Sequence, residues 1–354
     1  MTRVAILGIG TAVPEHVISQ DAAAVLAASF TVNPKDRRVI QALYRRAGVD
    51  QRGSILADQD GQLDFYRPDS AVPSTADRML IYEQHASQLA LRACREALRR
   101  AETKPGQITH LITVSCTGFS APGVDLELVS ALGLPDTTRR THIGFMGCHA
   151  AVNAIATAHA YAHTDPAARV LVCCVELCSL HFDHDADAQG HVANALFADG
   201  AAASVIAPSE TAKVCIERTG SIVFPNSTEM MSWHLGNHGF RMRLSPAVPA
   251  ALAQHVPAWL SGMLNDAGLS ISDIGSWAVH PGGPRVLSTI GDALGLDPDA
   301  VSVSRAVLGQ HGNMSSATLL FIMQRLLDAQ SPMPMLAAAF GPGLAGEAVL
   351  LTNG

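Results

Sequence analysis

Short, continuous apolar runs alternate with longer segments of helical character along the chain, and this pattern predicts an α/β protein. Apolar runs of strand length occur at the amino terminus and at residues 110–115, 169–176 and 201–207. Helical patterns occupy residues 21–30, 33–46, 75–101, 123–132 and 248–267. Because fully apolar strands are typical of sheets covered on both faces, the alternation indicates parallel sheets between layers of helices.

The second half of the chain repeats features of the first half. A strand candidate followed by a glycine-rich turn recurs in SWAVHPGGP and MLAAAFGPG, residues 276–284 and 335–343. We therefore expect two halves, residues 1–208 and 209–354, of which the first carries a candidate nucleophile. The pattern is compatible with a duplicated domain but does not by itself establish one.

Composition narrows the class of protein. The chain has 354 residues, of which 48% are hydrophobic and 16% charged, so a compact protein with a large core is expected. The net charge of -7 gives no reason to expect nucleic acid as a partner. Seven cysteines without a repeated spacing favour free thiols in a reducing compartment. No apolar run reaches membrane-spanning length, so we expect a cytoplasmic protein without membrane insertion.

The stretch GFMGCHAAVNAIATAHAY, residues 144–161, places Cys148 between a glycine-flanked turn and an alanine-rich helix. A thiol in the first turn of a helix faces unpaired N–H groups and the positive end of the helix dipole, and both favour the thiolate. Cys148 is therefore a candidate nucleophile on a rigid support. The alternative is a small residue that fills the core, because free cysteine is often buried.

Two more polar residues occupy the same kind of position, at the end of a strand or loop beside glycine. His280 lies in VHPGGP and Asn313 in HGNMSSA. Imidazole transfers protons near neutral pH, and an asparagine amide orients a histidine or donates a hydrogen bond to an oxyanion. Each has a plainer alternative, since His280 would also suit a core position and Asn313 a turn.

Two further clusters have plainer explanations. Helix 33–46 collects five basic residues, which would suit a phosphate-bearing substrate but more often form a solvated helix face: Lys35, Arg37, Arg38, Arg45 and Arg46. A second cluster, which would suit a metal-binding module, comprises Cys173, Cys174, Cys178, His181 and His184. Its spacing is poor for structural zinc, because neighbouring residues of a strand point to opposite faces. We therefore predict no metal site.

Five motifs in order resemble the type III polyketide synthases, the relatives of chalcone and stilbene synthase. They are GFMGCHAA, ALFADGAAA (195–203), HPGGP (280–284), GNMSSAT (312–318) and AFGPGL (339–344). The resemblance covers nearly the whole chain. It implies a thiolase fold, in which two duplicated halves form a five-layer αβαβα core, and it implies a homodimer.

The same resemblance implies roles for individual residues. Cys148 matches the nucleophile that carries the acyl chain. His280 and Asn313 match the hole that stabilises the enolate formed when malonyl-CoA loses carbon dioxide. Phe197 matches an aromatic gatekeeper between the coenzyme A tunnel and the cavity, and Arg46 matches one basic contact to coenzyme A. The positions of two other basic contacts hold Ala42 and Val39.

Departures from the plant enzymes fall in the substrate cavity and bear on the product. Met242 stands at the second phenylalanine gatekeeper and Trp233 at a glycine. Cys116 stands at a threonine beside Thr117, and His181 lies near another cavity threonine. Ser315, within GNMSSAT, is also assigned to the cavity. The combination is similar to bacterial members that make alkylresorcinols or alkylpyrones from fatty acyl starters.

The expected activity is therefore acyl transfer from coenzyme A thioesters. Cys148 would accept an acyl-CoA starter, malonyl-CoA would extend it, and the product would cyclise to a resorcinol or pyrone without a resident cofactor. The nearest rival is a ketoacyl synthase of the fatty-acid type III class, which usually carries His-Gln-Ala-Asn where this chain has His280 and PGG. A papain-like hydrolase is disfavoured by the residues around Cys148 and by the αβ alternation.

Overall fold

A computed structural model describes residues 3–354 and contains thirteen strands and ten α-helices in that range. The strands are β1 (Arg3–Ala12), β2 (Val17–Ser19), β3 (Gln51–Gly53), β4 (His110–Ser115), β5 (Arg139–Gly144), β6 (Val170–Leu177), β7 (Asp199–Ser209), β8 (Val214–Val223), β9 (Met231–Gly236), β10 (Gly239–Leu244), β11 (Ser276–Val279), β12 (Met335–Gly341) and β13 (Ala345–Asn353). The helices are α1 (Gln20–Ser29), α2 (Pro34–Arg46), α3 (Thr75–Arg100), α4 (Val124–Leu132), α5 (Ala150–Thr164), α6 (Ala188–Leu196), α7 (Val248–Asn265), α8 (Pro284–Leu294), α9 (Ser302–His311) and α10 (Ala317–Asp328).

Nine of these strands form one mixed sheet in the order β11-β12-β13-β8-β1-β7-β6-β4-β5. Its two parts, one from each half of the chain, meet where Ala5 of β1 pairs with Cys215 of β8. β4 runs parallel to β5 and β6, and β11 runs parallel to β12, but the remaining pairs are antiparallel. The prediction of parallel sheets was therefore wrong for the central strands. In β12 and β13 the reason is local, because three residues join them as a hairpin.

Side-chain alternation along the strands produces five layers. In β6, Val172 and Cys174 face the middle of the molecule, whereas Leu171 and Cys173 face α3. α5 and α10 fill the middle layer between the two parts of the sheet. On the far side, alternate residues of β12 and β13 pack against α7 and α8. The predicted layered αβαβα core is confirmed, and the predicted boundary at residues 208 and 209 lies at the end of β7.

Local signals account for most helix starts. Ser74 and Asp77 form a reciprocal capping box at the start of α3, and Asn33 caps α2 ahead of Pro34. The focal helix begins slightly later than the sequence indicates. α5 starts at Ala150, so Cys148 lies in the turn that precedes the helix.

The β9–β10 hairpin is the element that sequence analysis missed with most consequence for the site. Its alternating polar residues give no continuous apolar run, which hides it from a search for buried strands. Within the hairpin, Trp233 and Met242 are directly paired across the two strands. Both predicted cavity residues therefore stand side by side on one surface.

No helix within residues 3–354 combines the length and apolar character needed to cross a membrane.

Candidate active site

Cys148 is buried where the turn before α5 meets the turn after β12. Gly147 has a φ of +86°, and a Cβ atom on it would lie 2.4 Å from Cδ of Pro342. Only glycine fits both the left-handed backbone and this close approach. The two glycine-rich motifs, one from each half of the chain, are thus in direct contact and together set the position of the cysteine.

Burial of the Cys148 thiol opposes the thiolate that the sequence pattern favours. Burial raises the pKa of Cys148 to about 12, and hydrogen bonds with Ser315 and Asn313 oppose that rise. The nearby carboxyl group of Glu176 adds to it. Burying a charge costs free energy, so burial favours the neutral thiol. The sequence pattern offered a buried position for Cys148 as an alternative but could not weigh it against the effect of the helix terminus.

The Asn313 side chain has a defined orientation beside the thiol. Its Oδ1 accepts a hydrogen bond of 2.9 Å from the backbone N–H of Ser315, which leaves the amide NH2 group for the thiol and for a substrate. Ser315 itself has a φ of +45° and is 2% exposed. A buried non-glycine residue with this backbone is strained, which is typical of functional sites.

His280 follows β11 and is 1% exposed. Its backbone N–H donates to the carbonyl of Ala338 at 2.8 Å, which fixes the residue against β12. Neither ring nitrogen has a hydrogen-bond partner within residues 3–354. Burial and the neighbouring imidazole of His149 lower the pKa of His280 to about 3, so the ring is neutral. Two unsatisfied nitrogens on a buried neutral imidazole are available to a ligand.

Glu176, at the end of β6, is a site residue that sequence analysis missed. Its carboxyl group is fully buried and accepts hydrogen bonds from the Cys116 N–H at 3.0 Å, the Thr117 hydroxyl at 2.8 Å and the Ser316 hydroxyl at 2.5 Å. Burial raises its pKa, and these hydrogen bonds oppose the rise. The available signal was a single acidic residue at the end of an otherwise apolar strand.

A chamber of about 310 Å³ of empty space lies against the thiol. It is lined by Cys148 with six of the predicted cavity residues: Cys116, Thr117, Phe197, Trp233, Met242 and Ser315. A larger, mainly apolar chamber of about 730 Å³ adjoins it and shares Phe197, Trp233 and Met242 as walls. Trp233 is anchored between them, because its Nε1–H donates to the Cys116 carbonyl at 2.7 Å.

His181 lines the larger chamber rather than the chamber at the thiol. Both ring nitrogens are engaged, with Nε2–H donating to the Thr117 carbonyl at 2.6 Å and Nδ1 accepting from the Phe240 N–H at 3.0 Å. The ring stacks on Phe240 at a centroid distance of 4.1 Å. Burial lowers the pKa of His181 to about 3. His181 therefore lines the chamber with both ring nitrogens already hydrogen-bonded.

The remaining predictions concern charge and metal. Arg46 is exposed on the last turn of α2, and Tyr44 of the same helix lines the larger chamber. Cys173 faces α3 whereas Cys174 faces the middle layer, as strand alternation predicts. Across residues 3–354, no group of three or more histidine, cysteine or acidic side chains is placed to hold a metal ion.

A layered fold with a buried cysteine between its two halves agrees with the thiolase class of condensing enzymes that the sequence resemblance implies. Comparison with family models gives the family within that class. Residues 2–210 match the N-terminal domain of chalcone and stilbene synthases, and residues 216–353 match the C-terminal domain. The chain therefore belongs to the chalcone and stilbene synthase family and is a type III polyketide synthase.

Individual relatives agree with this assignment. The chain is 34% identical to "Alpha-pyrone synthesis polyketide synthase-like Pks18" of Mycobacterium tuberculosis, over 99% of this chain and 91% of the relative. It is 32% identical to the 1,3,6,8-tetrahydroxynaphthalene synthase of Streptomyces coelicolor, over 95% and 88%. The predicted family is confirmed, and the rival fatty-acid synthase and hydrolase hypotheses are not supported.

Solved structures show the same fold over the whole chain. PKS-I from the brown alga Ectocarpus siliculosus superposes with a TM-score of 0.94 at 27% identity, covering 100% of this chain and 99% of that one. The C-terminal type III polyketide synthase domain of Steely1 from Dictyostelium gives 0.91 at 28% identity, covering 99% of each.

Proposed function

We propose that this polyketide synthase loads an acyl-CoA starter on Cys148, extends it with malonyl-CoA and cyclises the product to a pyrone or resorcinol. The observation that carries the proposal is the buried Cys148, which lines a chamber together with six of the predicted cavity residues. Buried, unpartnered nitrogens on His280 support it.

Loading begins with both partners neutral. The Cys148 proton passes to the His280 ring as the sulfur attacks the starter thioester. The tetrahedral intermediate then expels coenzyme A, whose sulfur takes up the proton. The products are acyl-Cys148 and free coenzyme A.

During extension, His280 and Asn313 stabilise the negative charge of an enolate. Loss of carbon dioxide from malonyl-CoA moves an electron pair onto the thioester oxygen, where Asn313 Nδ2–H and a His280 N–H donate hydrogen bonds to the enolate. One such donor is worth roughly 3–4 kcal/mol of the barrier. The enolate carbon attacks acyl-Cys148, the thiolate leaves, and a lengthened acyl-CoA forms. Every step uses side chains and thioesters, so we propose no resident cofactor or metal.

The starter we propose has an apolar acyl tail. The larger chamber is lined mainly by apolar and aromatic side chains and adjoins the thiol chamber through Phe197, Trp233 and Met242. Burying a tail there would contribute about 0.8 kcal/mol for each methylene group. Pyrone formation is supported by the name of the mycobacterial relative. Arg46 is proposed to contact the phosphates of coenzyme A at the surface.

We also propose a homodimer through the β5 edge. β5 is the terminal strand of the nine-stranded sheet, and Phe145 and Met146 directly after it are 42% and 41% exposed. Phe119, which is 50% exposed, packs beside Phe145. A continuous apolar patch beside a free strand edge favours association. Sedimentation should show a dimer that Phe145→Glu weakens, and a monomeric wild-type protein would contradict this interface.

The function is tested with malonyl-CoA and a panel of acyl-CoA starters of increasing chain length. Mass spectrometry should detect tri- or tetraketide products together with release of coenzyme A and carbon dioxide. Cys148→Ala is the control and should give no extended product. Activity only with a starter on an acyl carrier protein would contradict the proposed substrates.

A further inference from the structure

Arg52, in β3, is a buried cation that contacts neither the thiol nor the small chamber in front of it. The residue is 5% exposed. Its Nη1 donates to the carbonyls of Asn194 at 2.8 Å and Phe197 at 2.9 Å, and its Nη2 donates to the carbonyl of Ala195 at 2.7 Å. Nη2 also donates to Oε1 of Gln20. A single guanidinium thus gathers three carbonyls from four consecutive residues.

Those carbonyls belong to the end of α6, where backbone acceptors lack intrahelical partners. A cation is also favoured at the negative end of the helix dipole. Gln20 completes the arrangement, because its Nε2 donates to the carbonyls of Ala195 at 3.0 Å and Tyr44 at 2.9 Å. The planar fork of arginine suits several fixed acceptors at once, so Arg52 sets where α6 stops.

The chain beyond α6 leads directly to the proposed enolate hole. The backbone N–H of Asn313 donates to the carbonyl of Leu196 at 2.8 Å, and the N–H of Ala198 donates to the carbonyl of Asn313 at 2.9 Å. Phe197 lies between these two bonds and forms a parallel bridge with Asn313. Its own carbonyl is the one that Arg52 holds.

We propose that Arg52 is a positioning residue, which fixes the Leu196–Ala198 segment and through it the Asn313 amide and the Phe197 ring. The inference rests on the proposed roles of these two residues. Losing the guanidinium leaves the backbone of Asn313 paired to a segment without its anchor. Because a displacement of about 1 Å at a catalytic group costs roughly a hundred-fold in rate, decarboxylation is the step that suffers.

The test compares two partial reactions in the same protein. We expect Arg52→Met to lower the rate of malonyl-CoA decarboxylation about ten- to a hundred-fold. The rate at which a starter loads Cys148, measured by intact-protein mass spectrometry, should stay within about three-fold of the wild-type rate. The thiol precedes α5 and lies outside the segment that Arg52 contacts. Arg52→Lys should recover part of the lost decarboxylation, since an ammonium still donates to some of the carbonyls.

Arg78→Met is the matched control. Arg78 is also fully buried and donates to backbone carbonyls, those of Leu180 at 2.7 Å and Phe182 at 3.1 Å, but neither belongs to the segment paired with Asn313. The variant should lose stability as Arg52→Met does, with a much smaller change in the ratio of decarboxylation to loading. Equal ratios in both variants would overturn the inference.

Asn313→Ala separates this inference from the proposed function. If Asn313→Ala decarboxylates normally, the role of Asn313 fails. If it loses decarboxylation and Arg52→Met does not, only the inference about Arg52 fails. Should Arg52→Met not fold, Gln20→Leu removes the support of the guanidinium, and an unchanged ratio in that variant would count against the inference.

Discussion

Two buried histidines near the pocket differ in what the fold leaves open. At the wall of the larger chamber, both nitrogens of His181 are engaged by Thr117 and Phe240. At the end of β11, both nitrogens of His280 lack a partner within residues 3–354. Burial lowers both pKa values to about 3, so the pKa does not distinguish them. Unsatisfied hydrogen-bonding capacity distinguishes them, and it supports the role proposed for His280.

The comparison extends to their neighbours. His181 joins the end of β4 to the β9–β10 hairpin and supports the surface that carries Trp233. His280 instead shares its half of the chain with Asn313, whose amide reaches the thiol. The region around His181 is stabilised by its polar contacts. The region around His280 retains unsatisfied polar groups at a cost in stability, as expected for a reactive site.

The largest expected effect on activity is that of replacing Cys148, the proposed carrier of the acyl chain. Cys148→Ala removes the atom that carries the acyl chain, so extension of every starter should be abolished, as measured by product mass spectrometry. Cys174→Ala, which removes a buried thiol of the middle layer, is the control and should retain extension. Extended product from Cys148→Ala would exclude covalent loading at this residue.

The free energy of unfolding should fall more for His181→Ala than for His280→Ala, the reverse of the order expected for activity. His181→Ala loses two hydrogen bonds and leaves a cavity, so its free energy of unfolding should fall by about 2–4 kcal/mol. His280→Ala loses packing but also removes two unsatisfied nitrogens, so the fall should be smaller. Denaturant unfolding of both variants measures this difference. A larger loss for His280→Ala would show that its nitrogens are satisfied in solution.

Acid should destabilise the protein through both rings. Each folded-state pKa of about 3 lies below the ordinary value of 6.5, so below pH 6.5 the unfolded state binds a proton that the folded state does not. Each ring should therefore lower the free energy of unfolding by up to about 1.4 kcal/mol per pH unit between pH 6.5 and 3. His280→Ala should show a shallower decline, and an unchanged slope would contradict a neutral buried His280.

The smallest effect is expected at the wall between the chambers. Phe197→Ala widens the passage without touching the thiol, so it should change the distribution of product lengths more than the turnover. Product profiles at matched starter concentration measure this. A large loss of turnover with an unchanged profile would assign Phe197 to positioning alone.

Sequence reasoning identified the candidate reactive residues, but it predicted their surroundings less well. Cys148, His280 and Asn313 stood out as polar residues beside glycine at the ends of strands and loops. The approach of Asn313 to Cys148, and the five layers, were expected only from the family resemblance, because residues remote in sequence meet only through tertiary packing. The sequence pattern favours a thiolate at Cys148, whereas burial of the residue opposes one. Glu176 was missed because it stands alone in sequence and gathers its hydroxyl partners from two elements.

The rate of malonyl-CoA decarboxylation in His280→Ala and His181→Ala tests the central contrast most directly. The account predicts a fall of about a hundred- to a thousand-fold for His280→Ala, because a donor to the enolate is lost. His181→Ala should lose less than about ten-fold at a temperature where it stays folded. Equal losses of decarboxylation, or a larger loss for His181→Ala, would contradict the proposed role of His280 as a donor to the enolate.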